Sequence, residues 1–536
     1  MLDIAELEEL VAAQMAEARV PGLALALVRD GALAYARGFG VTSVEDGGSP
    51  VTPDTLFRVG SLTKPQTATM IVRLVERGDL DLDRPIVDDI PWFTSREPMW
   101  ARRITLRQLL THTAGLPTDG MDLDHHRPPS LAQYVRETIP RYALVAPPGL
   151  VCSYSNAGFN VAGYVAEAAT GVPYQRLMDD LLFGPLGMAR TTFDPAVALT
   201  YPVALPHALD ESGVLRVRHR LALNAAYAPC GEVFSTARDQ ATFALLHLHD
   251  GWAGGQRLLA PESVAALHRQ QADLYTAGGW EQGVGFGVRV VAGHRQLGHG
   301  GAIDTYGSSI FLAPDDGVAV VLLYNHNARL GNVIMDRAVE MLLGAPPTAR
   351  AAVGLVPEDR ARWPAFVGTY IGQWSGLATV AAREGRLTLE RAGTVMTLRA
   401  FGPERYVGTD VGGATVAVGF TGPADAAQFC VIEGVPHERI AVPTDAAFDP
   451  ADWRRYAGAY TDGLRVRVLR VTDAGLFLYH NGHDREVTGT PLAGGRLASE
   501  FGLCEFLADA ADIPCLRLAK TFILAAIPGA AGSTAA

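Results

Sequence analysis

The chain opens with an amphipathic pattern. Over residues 3–19, Ile4, Leu7, Val11 and Met15 recur at helical spacing and define one apolar face. Pro21-Gly22 ends that pattern. Two apolar runs follow at 23–28 and 32–36, joined by Arg29-Asp30-Gly31, which predicts a β-hairpin. Residues 54–58 lead into a helix that contains Ser61 and continues through Met70 to about Arg77. A short helix is predicted over 104–112, ending in the turn Thr111-His112-Thr113-Ala114-Gly115-Leu116-Pro117. From about 118 to 270, helical patterns alternate with Pro/Gly loops and are clearest at 159–169 and 237–248. After Gly285 the period shortens to that of strands, at 286–292, 295–299, 308–313 and 318–324. Pro314-Asp315-Asp316-Gly317 joins the last two, and a helix is predicted over 330–343. This order predicts an α/β unit. One antiparallel sheet starts near the N-terminus, is interrupted by a helical subdomain, is completed near 325, and is backed by the terminal helices.

Residues 351–362 read as a linker. Short strands follow at 379–382, 386–389, 395–400, 415–420 and 428–432, and a second such run follows another linker at 443–450. The two runs open alike: Trp363-Pro-Ala-Phe366-Val-Gly368-Thr-Tyr370 matches Trp453-Arg-Arg-Tyr456-Ala-Gly458-Ala-Tyr460, 90 residues on. Repeated short strands predict an all-β C-terminal part made of two small antiparallel barrels, with one larger barrel of two halves as the alternative. The expected units are 1–350, 363–445 and 453–530. The shared aromatic openings are read as barrel plugs.

The 536 residues fit about two to four domains. A hydrophobic share of 48% against 19% charged excludes disorder over most of the length. The net charge of −12, with no basic run, argues against nucleic acid as a partner. The N-terminus carries Asp3, Glu6, Glu8 and Glu9 and lacks the positive start and apolar run of a secretory signal. No stretch is apolar over a membrane-spanning length. The five cysteines are scattered. These features lead to the expectation of a cytoplasmic protein with no membrane partner. No cofactor or metal is expected: His125-His126, near Asp122 and Asp124, match no standard ligand spacing and read as a solvated loop. Cys152 is expected to be buried rather than reactive, and a homodimer is compatible with all of this.

Composition makes one residue conspicuous. Lysine and arginine together number 45, yet lysine occurs only at Lys64 and Lys520. Arginine cannot release its proton in a protein, whereas a lysine can. Keeping lysine at 64 against this bias points to a need for a titratable amine. Lys64 follows Ser61 by three residues, so on a helix the two share a face, as activation of a weak serine nucleophile requires. By itself this spacing fits an ordinary helix N-cap equally well. Two further clusters change the balance: Tyr154-Ser155-Asn156 before the helix at 159, and His299-Gly300-Gly301 at the end of a predicted strand. Glycines at that place let a substrate backbone lie against the strand.

Taken together, Ser61-x-x-Lys64, Tyr154-x-Asn156 and His299-Gly300-Gly301 resemble the serine β-lactamase and penicillin-binding-protein superfamily, on its class C-like branch. Leu110-Thr-His-Thr-Ala-Gly-Leu-Pro117, Tyr154-Ser-Asn-Ala-Gly158 and Ser235-Thr-Ala-Arg-Asp239 carry the same resemblance, which covers about residues 4–343. It implies that Ser61 is acylated, that Lys64 helps to take its proton, and that Tyr154 serves as base and then as acid to the leaving group. It also implies that Asn156 orients Lys64 and touches the substrate amide, and that His299 supports Tyr154. The backbone N–H groups of Ser61 and Ala302, beside Gly300 and Gly301, would form the oxyanion hole. His112 is read as structural.

The whole plan, a hydrolase followed by two barrels, resembles bacterial D-aminopeptidases, whose barrels are lipocalin-like. In those enzymes a loop of the last barrel enters the cleft; here the turns at 481–485 or 494–495 would supply it. That resemblance implies a serine amidase or peptidase on short peptides or amino-acid amides, with preference for D-residues. A thioesterase that releases or cyclises nonribosomal peptides, a small-acyl esterase or acyltransferase, and a slowly deacylating sensor share the same chemistry. A β-lactamase fits less well, because the third motif lacks lysine.

Overall fold

The computed structural model describes residues 3–526 apart from 46, 119–129, 222, 328–329, 345–353, 374, 442–449, 462–465, 473–474, 481–482, 493–495, 500–501, 509–513 and 519–521. His125-His126 and both turns proposed to enter the cleft therefore lie wholly or partly outside the described residues.

The expected sheet is present. It has seven strands, all antiparallel; the first in sequence, Gly22–Arg29, pairs with the last, Val318–Tyr324, on one side and with the second, Ala32–Gly40, at the sheet edge on the other. Strand Gly22–Arg29 lies against Val318–Tyr324, with Leu23 opposite Tyr324 and Val28 opposite Ala319. Both strands are covered on both sides, which is why they read as unbroken apolar runs. Alternate residues point to opposite faces. Leu23, Leu25 and Leu27, with Val320 and Leu322, pack on Leu7 and Val11 of helix Ile4–Ala18 and on Ile334 and Ala338 of helix Gly331–Leu343. Ala24, Ala26 and Val28, with Val321 and Leu323, face the large helical core. Burying each large aliphatic side chain contributes about 1.5–3 kcal/mol, so the terminal helices are held by this face rather than by helix propensity. The hairpin at Asp30-Gly31 has positive φ at both residues, as a tight turn between twisted strands needs.

Beyond the α/β unit, eight strands from Gly368–Gly372 to Val435–Ile440 close into one antiparallel barrel, and eight from Gly458–Thr461 to Phe522–Ala526 close into another. The single-barrel alternative is thereby excluded. The sequence pattern missed strands Arg405–Thr409 and Val435–Ile440, whose apolar residues are diluted by Arg405, Glu438 and Arg439. The repeated opening has one physical meaning in both barrels. Tyr370 donates to the Phe366 carbonyl at 2.6 Å, and Tyr460 donates to the Tyr456 carbonyl at 2.6 Å. Trp363, Phe366 and Tyr370 are core residues of the first barrel, and Trp453 and Tyr460 of the second, so these aromatics plug the barrels as expected.

Behind the Ser61 helix, His247 Nδ1 lies 3.1 Å from His268 Nε2, both rings buried among Phe243 and Phe286. Burial lowers the pKa of His247 to about 3 and that of His268 well below its ordinary value. The native state thus keeps both rings neutral, whereas the unfolded chain protonates them as pH falls through about 6.5. Their contribution to stability is complete above that pH and is lost progressively on acidification toward about 3. Urea unfolding at pH 7.5 and 5.5 should show a clear loss at the lower pH, and His247→Asn should reduce that difference by about 1 kcal/mol.

Candidate active site

Ser61 is not a helix cap. It lies in the 3-10 turn Gly60–Leu62, and the following helix, Thr63–Glu76, is entered through Leu62 without a side-chain cap. Its hydroxyl is therefore available. Lys64, one turn on, is completely buried, and its Nζ donates to Ser61 Oγ at 2.9 Å and to the Cys230 carbonyl at 2.8 Å. Tyr154 OH donates to the same Oγ at 3.0 Å, and its ring centre is 4.9 Å from Nζ. Unlike Lys64, Tyr154 is 41% exposed, so its hydroxyl borders both Ser61 and solvent. Ser155 caps helix Asn156–Thr170 by accepting from Gly158 N, which sets Asn156 on the first turn at the cleft wall.

Strand His294–Ile303 crosses the Ser61 turn at contact distance. Gly60 has φ +53°, and a Cβ there would lie 2.9 Å from Ala302 N. A Cβ on Gly301 would lie 2.2 Å from the Val59 carbonyl oxygen and 2.1 Å from Ser308 Oγ. Ser308 in turn donates to the Val59 carbonyl at 2.7 Å. Both crossing positions thus demand glycine. The expectation that the strand ends at His299-Gly300-Gly301 is corrected: it continues to Ile303. The glycines do not stop the strand; they let two backbones touch, which sets Ala302 beside Ser61. The resulting cleft encloses about 690 Å³ and is lined by Ser61, Tyr154, Asn156, Gly300, Gly301 and Ala302, with Tyr324, Asn327 and Asn332 beyond.

His299 stands at the rim, its ring centre 6.2 Å from that of Tyr154. Its Nδ1 donates to the Gly300 carbonyl at 2.6 Å, so in the neutral ring Nε2 keeps its lone pair. Desolvation, with the Lys64 charge second, lowers the pKa of His299 to about 4. His112, read as structural, is a buried support of the Tyr154 segment. It has φ +59°, its Nδ1 accepts the Ser155 N–H at 3.0 Å, and its ring lies 4.4 Å from that of Tyr154. Burial, aided by Lys64, drives its pKa well down, which keeps it an acceptor. The signal in the sequence was a histidine inside a turn, too common to assign a contact 43 residues away. Cys152 is buried, and its thiol is pushed up to about 12, so it is inert as expected.

A buried lysine and a tyrosine thus meet on the hydroxyl of one serine, beside a strand, an arrangement with the groups that acyl transfer needs. The family model described as Beta-lactamase matches residues 7–345, which is more than half of the chain. The chain belongs to the Beta-lactamase family. Penicillin-binding protein 4 of Amycolatopsis lactamdurans is 35% identical over 340 residues, 60% of this chain and 85% of that protein. Esterase EstB of Burkholderia gladioli is 36% identical over 193 residues, 32% of this chain and 47% of that protein. The crystal structure of SurE with D-Leu superposes with a TM-score of 0.62 at 27% identity, covering 81% of this chain and 99% of that one. Beta-lactamase family members of this kind are serine hydrolases, and the α/β fold with its antiparallel sheet is shared.

In this family member two polar groups under the site hold the Ser61 segment in place. Arg58 and Glu232, both buried, pair at 2.6 Å and join the chain just before Ser61 to the chain just after Cys230. Burial raises the pKa of Glu232 against the pull of Arg58. Below the Ser61 helix, Gln66 donates to Gln240 and Gln240 to Ser235, each at 2.8 Å, while Thr191 donates to Asp239 at 2.9 Å. Thr236 caps helix Ala237–Leu248 through Asp239 N. The Ser235–Asp239 fragment is therefore structural.

Two outcomes follow from these groups. Glu232→Gln leaves Arg58 buried without its carboxylate and should cost about 3–5 kcal/mol in denaturant unfolding, far more than an exposed pair would. Because His299 is protonated only below about pH 4, kcat/KM between pH 5 and 8 should contain no His299 titration, and His299→Gln should change the rate without changing the shape of that profile.

Proposed function

We propose that this protein is a serine amidase or peptidase acting through an acyl-Ser61 intermediate on short peptides or amino-acid amides, with preference for D-residues. The observation that carries this reading is the convergence of Lys64 Nζ and Tyr154 OH on Ser61 Oγ at 2.9 and 3.0 Å. In the proposed cycle Ser61 Oγ bonds to the carbonyl carbon as its proton passes to the Tyr154 oxygen and the Tyr154 hydroxyl proton passes to the neutral Lys64 amine, which later returns it. Tyr154 then protonates the leaving nitrogen as its bond to carbon breaks, and a water repeats the sequence in reverse to release the acid. The backbone N–H groups of Ser61 and Ala302 receive the oxyanion; the approach of Gly60 to Ala302 supports this. Asn156, at the cleft wall, holds the substrate amide, and neutral His299 offers Nε2 beside Tyr154. Preference for D-residues is supported by the likeness to SurE, solved with D-Leu.

A second reading, esterase action on small acyl groups, is favoured by the likeness to EstB. A panel of D- and L-amino-acid p-nitroanilides, short acyl p-nitrophenyl esters and a chromogenic cephalosporin separates the two. Faster turnover of D- than of L-anilides is expected; turnover of esters alone favours the second reading. Ser61→Ala should lower turnover by at least about a thousandfold, and Lys64→Arg should be inactive, since arginine cannot accept the proton. Full activity of Ser61→Ala defeats both readings.

A further inference from the structure

Tyr154 sits on a loop whose two flanking segments are zipped together. Val145 N–H donates to Gly115 O and Gly149 N–H to Thr113 O, each at 2.7 Å; Ser153 N–H donates to His112 O at 2.8 Å. Ser155 N–H reaches His112 Nδ1 at 3.0 Å, and Ser155 Oγ donates to Pro117 O at 2.9 Å. Segments 112–118 and 145–155 thus form one ribbon that carries Tyr154.

The first barrel covers the outer side of this ribbon at two places. The Gln373 side-chain amide grips the Thr118 backbone from both sides: Oε1 accepts from Thr118 N at 3.3 Å, and Nε2 donates to Thr118 O at 2.9 Å. It pairs with the ribbon as a strand neighbour would. The turn that presents Gln373 is itself pinned, because Ser375 Oγ lies 2.8 Å from Nε2 of buried His437, whose Nδ1 bonds the Val435 carbonyl at 2.9 Å. At the other place, Phe429 and Val431 of strand Phe429–Ile432 bury themselves against Ala146, Leu150 and Val151. Arg405 fastens the same seam by pairing with Asp273 at 2.8 Å and Glu281 at 2.9 Å. Between these contacts the seam keeps a cavity of about 330 Å³, lined by Thr113, Gly149–Cys152, Tyr275 and Thr421 among others. The back of the ribbon is therefore held by discrete contacts and not by continuous packing, so loss of one contact leaves room for the ribbon to shift.

We propose that the first barrel is a positioning element for Tyr154, and that Gln373 is its positioning residue, acting through Thr118, Pro117 and Ser155. This rests on the acid–base role given to Tyr154 under the proposed function. A shift of the Tyr154 hydroxyl relative to Ser61 affects the proton transfer, while the Ser61 turn and strand His294–Ile303, which meet through backbone contact, keep the rest of the cleft in place.

The test is a double-mutant cycle on the full-length protein with a short acyl p-nitrophenyl ester. Gln373→Ala should lower kcat about tenfold with KM within about twofold, since small misplacements of a catalytic group cost rate steeply. Gln373→Glu is isosteric and keeps the turn, yet sets a carboxylate oxygen against the Thr118 carbonyl, and should lose at least as much. In a Tyr154→Phe background neither change should lower kcat further, because the group they position is gone. The inference is overturned if both Gln373 variants stay within about twofold of the parent, or if they cost the same factor with and without the Tyr154 hydroxyl, which marks a general structural effect. A Tyr154→Phe protein with undiminished kcat overturns the acid–base role itself and this inference with it. A crippled Tyr154→Phe protein with silent Gln373 variants overturns this inference alone.

Discussion

An amine that is wholly buried needs acceptors around it, because a bare charge or an unbonded amine in the interior is costly. Lys64 is such an amine, and most of the site follows from satisfying it. One acceptor, Ser61 Oγ, comes from the preceding turn; the second, the Cys230 carbonyl, comes from 166 residues away in sequence. The rings of Tyr154 and Phe159 lie over it, at 4.9 and 5.8 Å. To deliver these groups the helical insertion has to return to the Ser61 turn. The short pairing of Phe57–Arg58 with Phe234–Ser235 and the Arg58–Glu232 ion pair secure that return within a few residues of both acceptors.

The same constraint explains why Ser61 and Lys64 are placed by a 3-10 turn running into a helix. A serine acting as helix cap would spend its oxygen on a backbone N–H. Ahead of the cap position, the oxygen is left for Lys64 and Tyr154, and Gly60 at φ +53° lets the turn press against strand His294–Ile303. Ser61 and the strand are then fixed relative to each other by direct backbone contact.

How much of this was legible depended on whether the determining contacts were local. Ser61 and Lys64 share one helical turn, and the scarcity of lysine marked the pair without any structure. The central strands were legible because burial on both faces leaves unbroken apolar runs at 23–28 and 318–324. What escaped was set by distant partners. Glycines at 300 and 301 read as a strand end, since the pattern cannot show that the Ser61 turn crosses there. The pairing of Arg58 with Glu232 spans 174 residues, a separation that no local pattern reveals. His112 sat in a recognisable turn, but its hold on Ser155 depends on how two loops meet.

The two barrels sharpen that distinction. Their shared opening points inward, where each barrel needs an aromatic plug and a tyrosine hydroxyl bonded four residues back. A repeat of this kind reports the conditions for closing a barrel and is silent about what the barrel is for. The residues that distinguish the first barrel face outward: Gln373 on a turn, Phe429 and Val431 on a strand, Arg405 at the seam. The barrels also touch each other, through Ile371, Leu377 and Ile440 of the first against Leu492 and Ala498 of the second. Ile371 lies two residues before Gln373, so the second barrel packs on the strand that leads into the turn gripping Thr118. A barrel core is committed to the closure of the barrel, whereas its outer surface is not. An appended barrel therefore reaches the catalytic unit through a few outward side chains, and here Gln373, Phe429 and Val431 meet the ribbon that carries Tyr154.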